Sequence, residues 1–181
     1  MKKVLFSLIL SLVSTFVWAQ ELTAEETKLY NYIMQYRQQN GLPVIPLSPS
    51  LTTVAKTHVS DLVVNQPDLG NCNSHSWSAK GKWTSCCYSN YNGPGSCIWD
   101  KPRELTSYKG NGYEIACGSN VCCSSFVMTA DYALESWQKS WGHNDVILNK
   151  NGWGVMQWNA IGVAIQGGFA CVWFGAEVDQ P

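Results

Sequence analysis

The side chains most able to do chemistry near neutral pH in this chain are its three histidines, His58, His75 and His143. His143 follows two tryptophans, spaced one helical turn apart, in the stretch WQKSWGHNDVILN. An imidazole can bind a metal ion or move a proton, but it can equally be a polar stop at the end of an apolar helix. No short metal motif links the three histidines, so only the fold can bring them together.

Short catalytic motifs do not supply an alternative site. The sequence contains no G-x-S-x-G nucleophile elbow, no H-E-x-x-H zinc motif and no glycine-rich phosphate loop. No cysteine is clearly left over as a nucleophile, because the eight cysteines form an even set. A nucleophilic hydrolase is therefore unsupported.

Residues 1–19 predict a secretory signal peptide. Lys2 and Lys3 precede a largely apolar run, and Ala19 supplies the small residue of a cleavage site. The run is too short to span a bilayer, which requires about 20 apolar residues. We therefore expect an exported protein that is not an integral membrane protein, either extracellular or, in a Gram-negative bacterium, periplasmic.

The remaining chain, residues 20–181, predicts a single domain. Loss of Lys2 and Lys3 leaves ten basic and thirteen acidic residues, a formal charge of −3. So small a charge gives no electrostatic reason to expect a nucleic-acid partner or an anionic membrane surface. We expect a monomer whose ligand is an extracellular glycan, lipid or protein.

The cysteines predict a disulfide framework. In an exported chain an even number favours bridges, here up to four, although 105 pairings are open. The vicinal pairs lack the C-x₂-C spacing that wraps zinc. The eight positions are Cys72, Cys86, Cys87, Cys97, Cys117, Cys122, Cys123 and Cys171.

Two helices are predicted near the start of the mature chain. Thr23 and Glu26 form a capping box for the first helix, which stops near Gly41. Ser48 caps the second, and Pro49 occupies its first position. Their apolar faces are Leu29, Tyr30, Ile33 and Met34 in the first helix, and Leu51, Val54, Ala55, His58 and Leu62 in the second. On that face His58 is predicted to be a hydrogen-bonded core histidine.

The later elements complete an α+β pattern. Residues 65–125 predict a cysteine-rich loop region, with a short strand near 113–117 and a solvated turn at 101–104. A third helix is predicted from Thr129 to Trp141, followed by a β-hairpin with a Gly167-Gly168 turn. The inward residues predicted for that helix are Tyr132, Ala133, Trp137 and Trp141.

Five segments in order resemble the CAP superfamily, the group of cysteine-rich secretory proteins, antigen-5 proteins and plant pathogenesis-related proteins. They are YRQQNGLPVIPLSPSLTTVAKTHVSDLV, HSWS, GYEIA, ALESWQKSWGHNDVIL and AIGVAI…CVWFG, and together they span nearly the whole mature chain. The resemblance implies a three-layer α-β-α sandwich with a small antiparallel sheet, and it also implies secretion.

The same resemblance implies a site in a large central cleft. In the family, two histidines and two glutamates meet there, and in several members the histidines hold a divalent metal. The matching positions are His75, Glu114 and His143, with Ser140 in place of the second glutamate. Glu135 is no substitute, because on an ideal helix it points about 140° away from Ser140.

This arrangement predicts binding as the leading function, with zinc or another divalent cation at His75 and His143 and with Trp77 bordering the cleft. One alternative is a metal-dependent hydrolase, such as a peptidase, with Glu114 as general base and Ser140 as a second catalytic residue. Another is a glycan-binding module that uses Trp77, Trp83 and Trp99. The histidines are also compatible with a purely architectural hydrogen-bond cluster.

Overall fold

The computed structural model of the chain describes residues 21–89, 95–119 and 125–180. The predicted signal peptide, Cys122 and Cys123 lie outside these residues. Among the described residues no helix has the length and apolarity needed to cross a membrane. The helices are α1 (Ala24–Gln39), α2 (Pro49–Asn65), α3 (Gly95–Trp99), α4 (Lys101–Leu105), α5 (Ala130–Lys139) and α6 (Trp141–Ile147), with a 3-10 turn at Asn151–Trp153.

Capping fixes where α1 and α2 begin, as predicted. The Thr23 hydroxyl accepts from the Glu26 N–H at 3.2 Å, and the Glu26 carboxylate accepts from the Thr23 N–H at 2.7 Å. In α2 the Ser48 hydroxyl accepts from the Leu51 N–H at 2.9 Å. These bonds satisfy backbone donors that have no partner inside a helix, and they fix the first residue of each helix.

Three antiparallel strands form the sheet in the order β1-β3-β2. They are β1 (Tyr113–Gly118), β2 (Ala160–Gln166) and β3 (Phe169–Gly175). Gly167 has a positive φ of 55° in the predicted hairpin turn, which suits a residue without a Cβ. Every residue of the central strand β3 is buried, because helices cover both faces of the sheet.

The two faces carry separate hydrophobic cores, so the predicted α-β-α sandwich is confirmed. Residues of α1 and α5, including Ile33 and Trp137, pack with Val172 on one face. On the other face α2 packs against Trp173 and Phe169. A Cβ at Gly162 would overlap the backbone of Leu51, so β2 admits α2 at very close range.

The prediction for the third helix is wrong at the C-terminal end and for two of its four inward residues. It stops at Lys139, and the extended backbone of Ser140 turns the chain before α6 begins at Trp141. The helical period therefore does not carry through to Trp141, which is 81% exposed. Tyr132 is 51% exposed and packs on Phe126 rather than on the core, whereas Ala133 and Trp137 are buried as predicted.

The cysteine-rich region is stapled, as predicted, by the disulfides Cys72–Cys87 and Cys86–Cys97. Within the described ranges, Cys117 and Cys171 are free thiols. They cannot bridge each other, because Cys117 lies opposite Ala170, the residue before Cys171, and successive strand residues point to opposite faces.

The predicted solvated turn at 101–104 is also wrong. These residues begin α4, and Lys101 is fully buried. Its ammonium group donates to the Thr84 carbonyl at 2.6 Å and to the Glu104 carboxylate at 2.7 Å. These two acceptors offset the cost of burying the charge.

Candidate functional site

The Glu114 carboxylate lies at the centre of the candidate site. Its side chain extends from β1 towards α2 and is only 1% exposed. One oxygen accepts from Nδ1 of His58, and the other accepts from Nδ1 of His75 at 2.8 Å. Glu114 thus joins two histidines that reach it from different elements.

His58 forms the buried side of this cluster. Its Nε2 lies 3.0 Å from the Ser76 carbonyl, and its ring stacks on Trp77 with centroids 4.2 Å apart. Both ring nitrogens therefore face acceptors, which favours the doubly protonated cation. Burial alone would lower the pKa of His58, but the charge and hydrogen bonds of its neighbours, chiefly Glu114, outweigh burial and raise it.

Glu114 is correspondingly held as an anion. Burial opposes this charge, but the His58 charge and hydrogen bond, together with those of His75, lower the pKa of Glu114 to about 2. The carboxylate is therefore ionised throughout the physiological range. His58 and Glu114 form a buried ion pair beneath the more accessible histidines.

His75 forms the open side of the cluster, with a side chain that is 21% exposed. Its backbone N–H donates to the Asn73 side chain at 3.0 Å, which holds the loop in place. Because Nδ1 donates to Glu114, Nε2 is left with its lone pair when the ring is neutral. A histidine oriented by a carboxylate in this way is a common form of metal ligand.

His143 approaches His75 from α6, with ring centroids 6.4 Å apart. Burial, reinforced by the nearby charge of His75, lowers the pKa of His143. His143 is therefore neutral near pH 7, as a metal ligand must be. The fold thus brings together His75, Glu114 and His143, which are widely separated in the sequence.

The other predicted site residues lie less favourably. Ser140 joins α5 to α6, and its side chain makes no capping bond to α6. Glu135 pairs with Lys139 on the exposed surface of α5, in agreement with its exclusion. Trp77 is only 2% exposed, so it offers no open face to a sugar and the glycan hypothesis is wrong on this residue.

Sequence reasoning missed two buried features of the site, the partner of His58 and the burial of Lys101. His58 was predicted to be a hydrogen-bonded core residue, and this is confirmed, but its partner was not foreseen. The position of His58 on an apolar helix face was a usable signal, because a buried titratable side chain needs a polar partner. The burial of Lys101 was also missed. Its ammonium lies 5.6 Å from the centroid of the Trp77 ring, on which His58 stacks.

No protein-family model and no curated protein matches this chain, but solved structures do. An outer surface protein from Borrelia burgdorferi superimposes with a TM-score of 0.55 at 15% identity, over 87% of this chain and 96% of that one. An extracellular protein containing an SCP domain from Bacillus anthracis gives 0.58 at 18% identity, over 87% and 45% of the chains. The chain has the SCP-domain fold.

A third structure agrees with this assignment of fold. A cysteine-rich secretory protein from Staphylococcus aureus gives a TM-score of 0.51 at 14% identity, over 84% of this chain and 39% of that one. This chain spans less than half of the Bacillus and Staphylococcus proteins. The resemblance to the CAP superfamily is thereby confirmed for the fold.

The donors within this SCP fold fit a metal at one place and not at another. His58, Glu114 and Cys171 offer ligand atoms within 4.8 Å of one another. Both nitrogens of His58 are already committed, however, one to the Glu114 carboxylate and the other to the Ser76 carbonyl. That group is therefore unsuited to a metal ion, whereas His75 and His143 retain nitrogens that can coordinate one.

Proposed function

We propose that this SCP-fold chain is an exported binding protein that holds its ligand at His75 and His143, through zinc or a similar divalent cation. The observation that carries the proposal is the bond from Nδ1 of His75 to Glu114. This bond orients the ring and leaves Nε2 as the nitrogen that can coordinate the metal. The ring centroids of His75 and His143 are 6.4 Å apart. Two imidazoles leave further coordination positions for a ligand.

Glu114 acts in this proposal as an orienting group. Its two oxygens already accept from His58 and His75, and its side chain is almost wholly buried. Its lowered pKa also makes it a weak proton acceptor. These features favour binding over the alternative of a hydrolase with Glu114 as general base.

Export is part of the proposal. It is supported by the predicted signal peptide and by two disulfides, which persist in oxidising compartments. It is also supported by the names of the similar structures, which describe outer surface, extracellular and secretory proteins.

Calorimetric titration of zinc into oxidised residues 20–181 tests the proposal. We expect about one equivalent to bind with micromolar or tighter affinity, and we expect His75→Ala and His143→Ala each to weaken binding at least tenfold. Glu135→Gln, which removes an exposed carboxylate on α5, is the matched control and should bind normally. Zinc binding that ignores both histidine substitutions would refute the proposal.

A further inference from the structure

A separate cavity of about 650 Å³ lies along the outer side of α2. Its volume is within the range of about 300–1,000 Å³ that is typical of ligand pockets. None of the residues of the histidine cluster lines it. We call this cavity the α2 groove, and its lining includes Glu26, Lys56, Ser60, Asn65, Trp83 and Gln166.

Trp83 forms a fixed aromatic wall of the α2 groove. Its Nε1 donates to the Ser78 carbonyl at 2.8 Å, and its ring meets the edge of Trp77 with centroids 5.2 Å apart. The ring also lies so close to Gly81 that a Cβ there would overlap it. The half-buried indole additionally borders a second cavity of about 400 Å³ with Lys82 and Thr84, so aromatic surface faces two adjoining spaces.

The charges in the α2 groove are satisfied within the protein. Glu26 is 2% exposed and lies 3.4 Å from the Lys56 ammonium group. Asp61, also 2% exposed, accepts from the Ser78 N–H at 2.8 Å and from the Asn65 amide at 2.7 Å. A charged ligand would therefore meet no unpaired opposite charge in these groups.

Neutral polar groups remain available beside the aromatic wall. Across the part of the chain that the structure describes, neither the Ser60 hydroxyl nor the Gln166 side-chain amide has a hydrogen-bond partner. Both line the α2 groove with Trp83. The lining therefore combines a rigid aromatic surface with uncharged donors and acceptors.

We propose that the α2 groove binds a neutral oligosaccharide. A sugar ring presents C–H groups that pack on an indole, and its hydroxyls exchange hydrogen bonds with uncharged amides and hydroxyls. The pairing of Lys56 with Glu26 and of Asp61 with Asn65 disfavours an acidic saccharide. This site shares no residue with the proposed metal site, so the two proposals fail independently.

Calorimetry with cellohexaose, chitohexaose and maltohexaose tests this proposal on the oxidised protein, with hexagalacturonate as the acidic comparison. At least one neutral hexasaccharide is expected to bind with a Kd in the millimolar range or tighter. Ser60→Tyr, which places a ring in the groove, should weaken that binding at least tenfold. Thr53→Tyr, at an exposed position of the same helix, should leave it unchanged.

A second pair of variants keeps the test independent of folding. Trp83→Ala should abolish binding, with near-ultraviolet circular dichroism as the check on structure, and Gln166→Ala should weaken binding several-fold without disturbing the core. His75→Ala should bind the saccharide normally. The proposal is overturned if no neutral hexasaccharide binds, if hexagalacturonate binds more tightly, or if Ser60→Tyr and Gln166→Ala both leave the Kd unchanged.

Discussion

Replacement of Glu114 by alanine is expected to destabilise the fold strongly. The change removes the acceptor for His58 and His75 and leaves the fully buried His58 cation without its counter-charge. Breaking a buried pair from one side typically costs about 3–5 kcal/mol. That is a large share of the roughly 5–15 kcal/mol that stabilises a domain. Glu114→Gln keeps one oxygen acceptor and should cost less, about 1–3 kcal/mol.

Urea unfolding at pH 7, followed by tryptophan fluorescence, measures these losses. Glu135→Ala is the matched control, because that carboxylate forms an exposed pair with Lys139, and exposed pairs contribute about 0–1 kcal/mol. If Glu114→Ala cost less than about 1 kcal/mol, or no more than Glu135→Ala, the buried ion pair that we describe would be incorrect.

The pH dependence gives an independent check on the same pair. The pKa of Glu114 is lowered from 4.5 to about 2, so the unfolded chain takes up this proton before the folded chain does. The stability contributed by Glu114 is therefore present above about pH 4.5 and is lost as the pH falls towards 2. Glu114→Gln lacks this contribution and should show a shallower decline, measured by urea unfolding across that range.

Three further predictions concern packing around the site. Trp77→Ala should lower the free energy of unfolding by about 3–5 kcal/mol because Trp77 is buried, whereas Trp141→Ala should change it by less than about 0.5 kcal/mol. Urea unfolding measures both changes in the free energy of unfolding. Gly162→Ala should lower the thermal midpoint markedly, because its Cβ would overlap the backbone of Leu51 and push α2 off the sheet. The buried thiol of Cys171, whose pKa is raised, should react with iodoacetamide only after unfolding, as judged by peptide mass; labelling of the native protein would contradict its burial.

Local signals predicted most of the fold. The capping residues Thr23 and Ser48 marked where α1 and α2 begin, and the alternation around Gly167 predicted the hairpin. Each signal depends on chemistry within a few residues, which a sequence displays directly. Trp141 was misassigned because the extended backbone of Ser140 ends α5 at Lys139, two residues before the predicted end, and helical periodicity does not reveal where a helix stops.

The candidate site was less accessible to sequence reasoning. His75, Glu114 and His143 were matched only through an ordered family resemblance, because no spacing rule links residues on separate elements. The role of His58 beside Glu114 depends on the placement of α2 over β2 and β3, where Glu114 reaches it from the neighbouring strand β1. Lys101 was missed because a charged side chain is rarely buried. Its burial over Trp77 is a tertiary contact that no local pattern indicates.

Nitrogen-15 NMR of the three histidine rings, assigned with single substitutions and recorded with and without one equivalent of zinc, tests the central claim most directly. We predict that His58 carries protons on both nitrogens at pH 7 and that neutral His75 carries its proton on Nδ1. Zinc should then shift Nε2 of His75 and the ring of His143, while His58 stays unchanged. A zinc-induced shift at His58, or no shift at His75 and His143, would contradict the account.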